Sequence, residues 1–408
     1  MHILLVHQAF ATLSEPGGTR HHELARHLVA LGHRVTVLAG QVSYLTGQRT
    51  VSGWMQREVD DLGVVIWRCY TYPAWHRSFI HRMLSFFSFM VSSLVNGIRV
   101  REVDLVWGTS PPIFQGLTAW LLARLKRARF LFEVRDLWPH FAVAVGVLRQ
   151  PLLIRLSEWL ERFLYRKADH VVVNSPGYVE HVQMRGARAV DLVPNGVDVS
   201  MFDPQADGAA FRQAHGLEGK FIVLYAGAHG MSNDLEVVLR AAERLSDHSE
   251  VVFVFVGDGK EKPNLIARSE TMALPNVFFL PPVAKIGMPE VLAAADACIA
   301  ILKPVEAYKT TYPNKVFDYM AAGRAVVLAV DGVIREVVED AGAGVFVPPG
   351  DPEALAAAIH RLVENPERGK HMGLAGRTYV TQHFNRPELA GKMARVMEAV
   401  HRGGDETG

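Results

Sequence analysis

Residues 220–259 read KFIVLYAGAHGMSNDLEVVLRAAERLSDHSEVVFVFVGDG, and this stretch decides the fold. Its two apolar runs, FIVLYA and VVFVFV, are continuous rather than alternating, as in strands covered on both faces. Between them DLEVVLRAAERL repeats its apolar residues at helical spacing. A strand, a helix and a second strand in that order are the crossover unit of a parallel sheet.

The alternation continues outward in both directions. Upstream, the strand candidates are HILLVH, RVTVLAG, GVVIWRC, LVWGTS, RFLFEVRD, HVVVNS and AVDLVPNG. Helical patterns separate them, such as TRHHELARHLVALG, in which Leu24, Leu28 and Leu31 recur at helical spacing before Gly32. Downstream come VFFLPP, MPEVLAAADACIAIL, TTYPNKVFDYMAAGRAVV, AVVLAV and GVFVPP. Two doubly wound α/β halves result. The break falls in VPNGVDVSMFDPQADGAA, residues 193–210, where Pro, Gly, Asn and Asp cluster and apolar periodicity stops. The expected domains are therefore 1–195 and 196–385, with a C-terminal helix over about 386–404 returning to the first. The closing RGGDETG reads as a frayed end.

A chain of 408 residues is long for one core. Lys and Arg number 43 against 42 Asp and Glu, so no basic excess points to nucleic acid. Cys69 and Cys298 stand far apart in apolar runs, without disulfide or metal-ligand spacing, which fits a reducing cytoplasm. MHILLVHQAF has no charged leader or cleavage site and reads as a first buried strand. The apolar segment MLSFFSFMVSSLVNGI, residues 83–98, is interrupted by serines and Asn96 and is shorter than the roughly 18 residues of a spanning candidate. His76, Arg77, His81 and Arg82 precede it and Arg99 and Arg101 follow it. That pattern suits a helix of residues 76–101 touching an anionic bilayer, such as the inner face of the plasma membrane, and equally a core helix.

In open α/β sheets ligands bind beyond the carboxyl ends of the strands, so the strand-to-helix turns carry the candidates. Four stand out. Gly17 and Gly18 after the first strand allow close backbone approach just before a helix, or make a plain tight turn. Arg135 and Asp136 end the strand FLFEV; either they form a structural ion pair, or Asp136 orients or deprotonates an incoming hydroxyl. Gly227 and Gly230 free the backbone to curl round an anion, with Ser232 or Asn233 capping the next helix. His229, between those glycines, is by itself more ordinary as a structural residue. In TTYPNKVFDYMAAG, Asn314 is the expected N-cap and the helix starts at Lys315, whose ammonium joins the helix dipole in attracting a phosphate. Asp318, a turn later on the same face, suits a ribose diol.

These motifs resemble a known family. VPNGVD (193–198), VGDG (256–259), AAAD (293–296), FDYMAAGRAVV (317–327) and VPPGDPEALAAAI (347–359) are similar to landmarks of group 1, or family 4, glycosyltransferases of GT-B fold. Gly17 and Gly18, with HHELARHLVALGHRVTVL, resemble their acceptor-side loop and helix. RDLWP and PNKVFDYMAAG are most similar to bacterial enzymes that transfer amino sugars such as N-acetylfucosamine in O-antigen or capsule assembly. The resemblance implies two Rossmann-like domains facing across a cleft and a nucleotide sugar, UDP-linked, as donor substrate rather than any cofactor. It also implies metal-independent transfer with retention, and a glycan or polyprenyl-diphosphate-linked acceptor. The family's first acid, eight residues before its second, falls here on Thr310, with Glu306 nearby to reach in. Its basic pair in the loop after the first strand of the second domain is replaced by Ala228 and Asn233, leaving Lys315 to supply the charge; its usual His after the mid-domain strand is Arg135.

On this reading the catalytic candidates are Lys315, Asp136 and Asn233. Gly227, His229, Gly257, Val283, Thr310, Thr311, Tyr312, Asn314, Lys315 and Asp318 bind the donor, with Pro281, Pro282 and Lys285 walling the base. Gly17, Gly18, Arg20, Arg135 and Asp136 lie on the acceptor side. Domain closure about residues 195–198 would exclude water. A nucleotide-sugar epimerase or hydrolase, and a non-catalytic partner subunit of the same fold, are the rival readings.

Overall fold

A computed structural model describes residues 1–73 and 79–403. His76 and Arg77 of the basic flank, and the tail beyond Gly403, lie outside the described residues. The chain forms two compact units. Residues 1–12, 18–194 and those from Pro387 onward make the first, and residues 13–17 and 195–386 the second.

The first unit holds strands β1 (His2–His7), β2 (Arg34–Gly40), β3 (Met55–Val59), β4 (Val65–Cys69), β5 (Leu105–Ser110), β6 (Arg129–Val134), β7 (His170–Val173) and β8 (Val190–Leu192). They form one sheet in the order β3-β4-β2-β1-β5-β6-β7-β8. Every neighbouring pair is parallel except β3 with β4. The sequence reading missed β3 because an edge strand written MQREV, mostly exposed, carries no apolar run.

Helices α1 (Arg20–Ala30), α2 (Phe79–Arg99), α3 (Phe114–Lys126), α4 (His140–Ala144), α5 (Pro151–Lys167) and α6 (Val179–Met184) connect these strands. The period-2 pleat sends alternate residues to opposite faces. Ile3, Leu5, Val35, Val37 and Leu131 share one core with Leu24 and Leu28 of α1. On the other face α3 packs against β1 and β5 and touches both α2 and α5.

The second unit holds β9 (Phe221–Ala226), β10 (Val251–Val256), β11 (Val277–Leu280), β12 (Ala297–Ile301), β13 (Ala325–Ala329) and β14 (Gly344–Phe346). Its order is β11-β10-β9-β12-β13-β14, and every pair is parallel. The helices are α7 (Ala209–Ala214), α8 (Leu235–Arg244), α9 (Lys262–Thr271), α10 (Met288–Ala293), α11 (Asn314–Ala321), α12 (Val333–Asp340), α13 (Pro352–Glu364) and α14 (Pro366–His383). Val223, Tyr225, Phe253 and Phe255 face α8 and α13, while Ile222, Leu224, Val252 and Val254 face α10, α11 and α12. A final helix, α15 (Arg386–Arg402), carries Leu389, Met393 and Met397 into the core of the first unit.

Some helix starts are written plainly in the chain. Asp351 accepts from the Ala354 N–H with Pro352 opening α13, and Asn365 accepts from the Arg368 N–H with Pro366 opening α14. Each such cap contributes about 1 kcal/mol.

Both sheets reverse direction at their first strand. β1 lies between β2 and β5, and β9 lies between β10 and β12. The crevice beyond such a reversal is where doubly wound sheets bind ligands.

Candidate active site

In the second unit this reversal brings together the turn after β9 and the start of α11. Gly227 sits at φ +144°, where a Cβ would come within 2.9 Å of the Lys315 Nζ. Only glycine lets that ammonium lie against the backbone. Lys315 Nζ stands 3.6 Å from the centroid of the Tyr225 ring and has no hydrogen-bond partner. Burial lowers its pKa to about 7. The electron-rich ring face offsets part of that cost. Neighbouring lysines are committed: Lys262 donates to the Gly257 and Leu280 carbonyls, and Lys285 pairs with Asp318 at 2.5 Å.

The rest of the turn is braced from beneath. Tyr225 Oη and Asn233 Nδ2 both donate to the Ala228 carbonyl, at 2.7 and 2.9 Å. Asn233 is therefore a strut of the turn. Neither it nor Ser232 caps α8, whose N-cap is Asp234 without a side-chain bond. The Ser232 hydroxyl instead accepts from Tyr308 at 2.6 Å. His229 is wholly buried among Tyr225, Phe255 and Phe279, with neither ring nitrogen hydrogen-bonded. Burial first, then the charges of Lys262 and Lys315, lower its pKa to about 4, so the ring is neutral. Its backbone links the turn to the next one, donating to Asp258 O and accepting from Glu261 N. At Gly257, φ +151°, a Cβ would fall 1.9 Å from the Gly227 carbonyl oxygen, so this glycine permits two turns to nest.

α11 begins one residue earlier than expected. Its N-cap is Pro313, and Asn314 is its first residue, with a buried Oδ1 that has no partner. The cap expected of Asn314 is absent because the residue has already entered the helix. Asp318 carries the Lys285 ammonium on Oδ1, a pairing the sequence reading missed by assigning the two residues separately. Upstream, Thr310 Oγ1 donates to Ala307 O, Thr311 N to Tyr308 O, and Tyr312 O accepts from Asn195 Nδ2. The Tyr312 ring packs on Phe317 and Phe384. Val283 is partly buried against the core on the α10 and α11 face. Glu306 does not reach inward: it is 84% exposed and pairs with Lys309 at 2.9 Å.

In the first unit, Arg135 spans the reversal. Its Nε donates to Thr109 Oγ1 and Ser110 O at the end of β5, and one terminal nitrogen donates to His7 Nε2 at the end of β1. These bonds engage Nε and one terminal nitrogen of the guanidinium, and of the two alternatives for Arg135 and Asp136 the ion pair is not seen among the described residues. Asp136 Oδ1 is buried without a partner, and burial, opposed by Arg135, raises its pKa to about 6. Gly18 lies nearby in the fold, its Cβ position 3.9 Å from the Tyr44 hydroxyl. Gly17 groups instead with the second unit, in a segment whose Leu13 carbonyl accepts from Ile286 N at 3.2 Å.

Arg20, read from the sequence as an acceptor-side residue, takes part in a buried network of the first unit. Its guanidinium donates to Glu133 Oε1 at 2.9 Å and to the Val193 and Pro194 carbonyls at 2.7 Å each. Glu133 is wholly buried and also receives His21 Nε2 at 2.6 Å and Trp107 Nε1 at 3.1 Å. Burial alone would raise its pKa, but these partners outweigh it and keep the carboxylate ionised. The signal in the sequence was Glu133 itself, a lone acid within an apolar strand.

Among the sequence candidates, the structure thus gathers Gly227, His229, Asn233, Gly257 and Lys315 into one braced turn. Its chemistry is a free ammonium beside a glycine backbone, an arrangement that receives an anion.

Two doubly wound units with such a turn at the switch point define the GT-B architecture. The chain belongs to the group 1 glycosyltransferases. Residues 220–365 match the family model described as glycosyl transferases group 1, and residues 17–197 match that of a glycosyl transferase 4-like domain. It is 27% identical over 360 residues to the putative colanic acid biosynthesis glycosyl transferase WcaI of Escherichia coli K12, covering 85% of this chain and 88% of that one. Its fold is similar to sucrose-phosphate synthase from Thermosynechococcus elongatus, with TM-score 0.80, 19% identity, and 99% and 100% of the two chains covered. It is similar also to Anabaena HepE in complex with UDP-glucose, with TM-score 0.69, 16% identity, and 98% and 100% covered. The chain is an enzyme of the glycosyltransferase class.

Proposed function

We propose that this glycosyltransferase moves an N-acetylated amino sugar from a UDP-linked donor to a glycan or polyprenyl-diphosphate-linked acceptor in the synthesis of a cell-surface polysaccharide. Transfer retains anomeric configuration and needs no divalent metal. The observation that carries this reading is the unpartnered Lys315 ammonium against Gly227. The name of WcaI, a putative colanic acid biosynthesis glycosyl transferase, supports the product class, and that of HepE, in complex with UDP-glucose, supports a UDP-linked donor.

As the bond from the anomeric carbon to the diphosphate oxygen breaks, negative charge grows on the leaving phosphate. A preorganised cation screened from water stabilises that charge more than it stabilises the bound donor. Lys315 supplies it, and the diphosphate in turn gives the ammonium the partner it lacks. Asp318, whose Oδ1 takes the Lys285 ammonium at the start of α11, is the acid that recognises the ribose diol. On the acceptor side, Asp136 has the raised pKa and unpaired oxygen of a group that takes a proton from an incoming hydroxyl.

The test is a panel of UDP- and GDP-sugars incubated with and without a lipid-diphosphate acceptor, in buffer containing chelator. A transfer product from a UDP-N-acetylamino sugar is expected. An epimerised donor or released free sugar would instead identify an epimerase or hydrolase, and donor binding without turnover a non-catalytic subunit. Loss of transfer in chelator would overturn the metal-independent reading.

A further inference from the structure

Helix α2 is built inside out. Its small polar residues face the protein: Ser85, Ser92, Ser93 and Asn96 are wholly buried, with Ser92 donating to Tyr70 O at 2.6 Å. Phe86 and Phe89 are buried beside them, but six other large apolar residues face water. Ile80, Leu84, Phe87, Val91, Val95 and Ile98 recur every three or four positions and are 39–69% exposed. A helix of a water-soluble surface has the opposite polarity.

The pattern recurs on α5, where Leu152, Leu156 and Trp159 follow helical spacing and are 53–65% exposed. Trp159 stacks on Phe163, which meets Trp120 of α3 edge-on, so the two apolar stripes belong to one helical layer. Nine exposed large apolar side chains arranged as two helical stripes differ from the singly scattered apolar residues of an ordinary soluble surface.

Charge selects the occupant. α2, α3 and α4 contain no Asp or Glu at all. Within the four helices α2, α3, α4 and α5 themselves there are eight Lys and Arg against two Glu, whereas the whole chain is nearly balanced. One of those two acids, Glu161, is buried and held by His181 and Arg185. The other, Glu158, lies within 4 Å of Arg162 and Arg185. Among the described residues no helix is long and apolar enough to cross a membrane. Apolar side chains whose surround is basic and whose few acids are paired suit insertion into the boundary of an anionic lipid layer.

We propose that the exposed faces of α2 and α5 form a single docking surface for an anionic phospholipid bilayer. This deepens the reading of a lipid-linked acceptor, and its test reads binding rather than transfer, so the two can fail separately. α5 is the part that the sequence left unmarked, since its apolar residues are diluted by Arg155, Arg162 and Arg166.

Full-length protein is sedimented with vesicles of phosphatidylglycerol and phosphatidylethanolamine, and with phosphatidylcholine alone. Binding to the anionic vesicles only is expected, weakened by added salt. Two double variants, Phe87→Ser with Val91→Ser on α2 and Leu156→Ser with Trp159→Ser on α5, should each lower the partition coefficient about tenfold or more. UDP affinity measured by calorimetry should be unchanged in both, which separates a docking defect from misfolding. Failure of the parent to bind anionic vesicles overturns the proposal, as does parent-like binding by the α5 variant. Light scattering that finds a dimer made monomeric by these substitutions would assign the face to a second copy of the chain and overturn it equally.

Discussion

Lys315 holds a proton in a place where water does not reach its ammonium, and that position makes its protonation respond to the ligand. Burial lowers its pKa to about 7 from an ordinary 10.5. Between those values the unfolded chain keeps the proton and the unliganded folded chain gives it up, so this residue's contribution to stability rises with pH across that window. A diphosphate beside the ammonium reverses the shift. UDP binding at pH 8 should therefore take up close to one proton, read by calorimetry in buffers of different ionisation enthalpy, and Lys315→Met should abolish the uptake and lower turnover about 100-fold or more. Proton-neutral binding by the parent would remove Lys315 from the phosphate. Asp136 gives the mirror case. Its pKa is raised from 3.8 to about 6, so between these values the folded chain holds a proton that the unfolded chain has lost. Its stabilising share is complete below that window and disappears as pH rises through it. Asp136→Asn should thus be more stable than the parent at pH 7, by about 1–2 kcal/mol, while losing turnover and the rise of activity around pH 6. A variant that is both less stable and equally active would return Asp136 to a structural role.

At the scale of elements, the buried carboxylate of Glu133 joins β6 to α1 through Arg20 and His21, and to β5 through Trp107. Removing its charge leaves the Arg20 guanidinium buried without its counterion. Glu133→Gln should cost about 3–5 kcal/mol and lower the melting temperature of the first unit by roughly 10 °C. Melting in the presence of UDP identifies that unit as the one the nucleotide does not protect; an unshifted melting temperature would mean the network is not structural. How much of this was legible varies with the kind of signal. The turn after β9 and the start of α11 were readable because glycines, Pro313 and Lys315 have local meaning in the chain. The bracing of that turn was not: Asn233 looks like a cap, and only the distance from Nδ2 to the Ala228 carbonyl, five residues away, makes it a strut. Lys285 and Asp318 lie 33 positions apart, and no local pattern couples them. Likewise β3 is an edge strand without an apolar face, and the outward stripe of α2 has the same periodicity as an inward one. Spacing identifies a stripe; which side it faces depends on the neighbours.

For the whole molecule, the doubly wound class followed from continuous apolar strands alternating with helices, because full burial on both faces leaves no other arrangement of layers. Chain connectivity between the units was less accessible. Residues 13–17 group with the second unit although β1 and α1 on either side belong to the first. α15 shows what that interleaving means energetically: Leu389, Met393, Val396 and Met397 complete a core that also draws on α1 and on β1, β2, β4, β5, β6 and β7. Burying those four side chains contributes about 6 kcal/mol or more, comparable with the entire stability of an ordinary domain. The second unit, by contrast, closes at Arg386, whose buried guanidinium donates to the Gly196 carbonyl. A chain ending at Arg386 should therefore lose the first unit's cooperative melting and become open to proteolysis between residues 18 and 194, while still binding UDP within about threefold of the parent, a shift of less than 1 kcal/mol. If the shortened chain melts like the parent, α15 is not part of that core; if it no longer binds UDP, the nucleotide site depends on more than the second unit supplies.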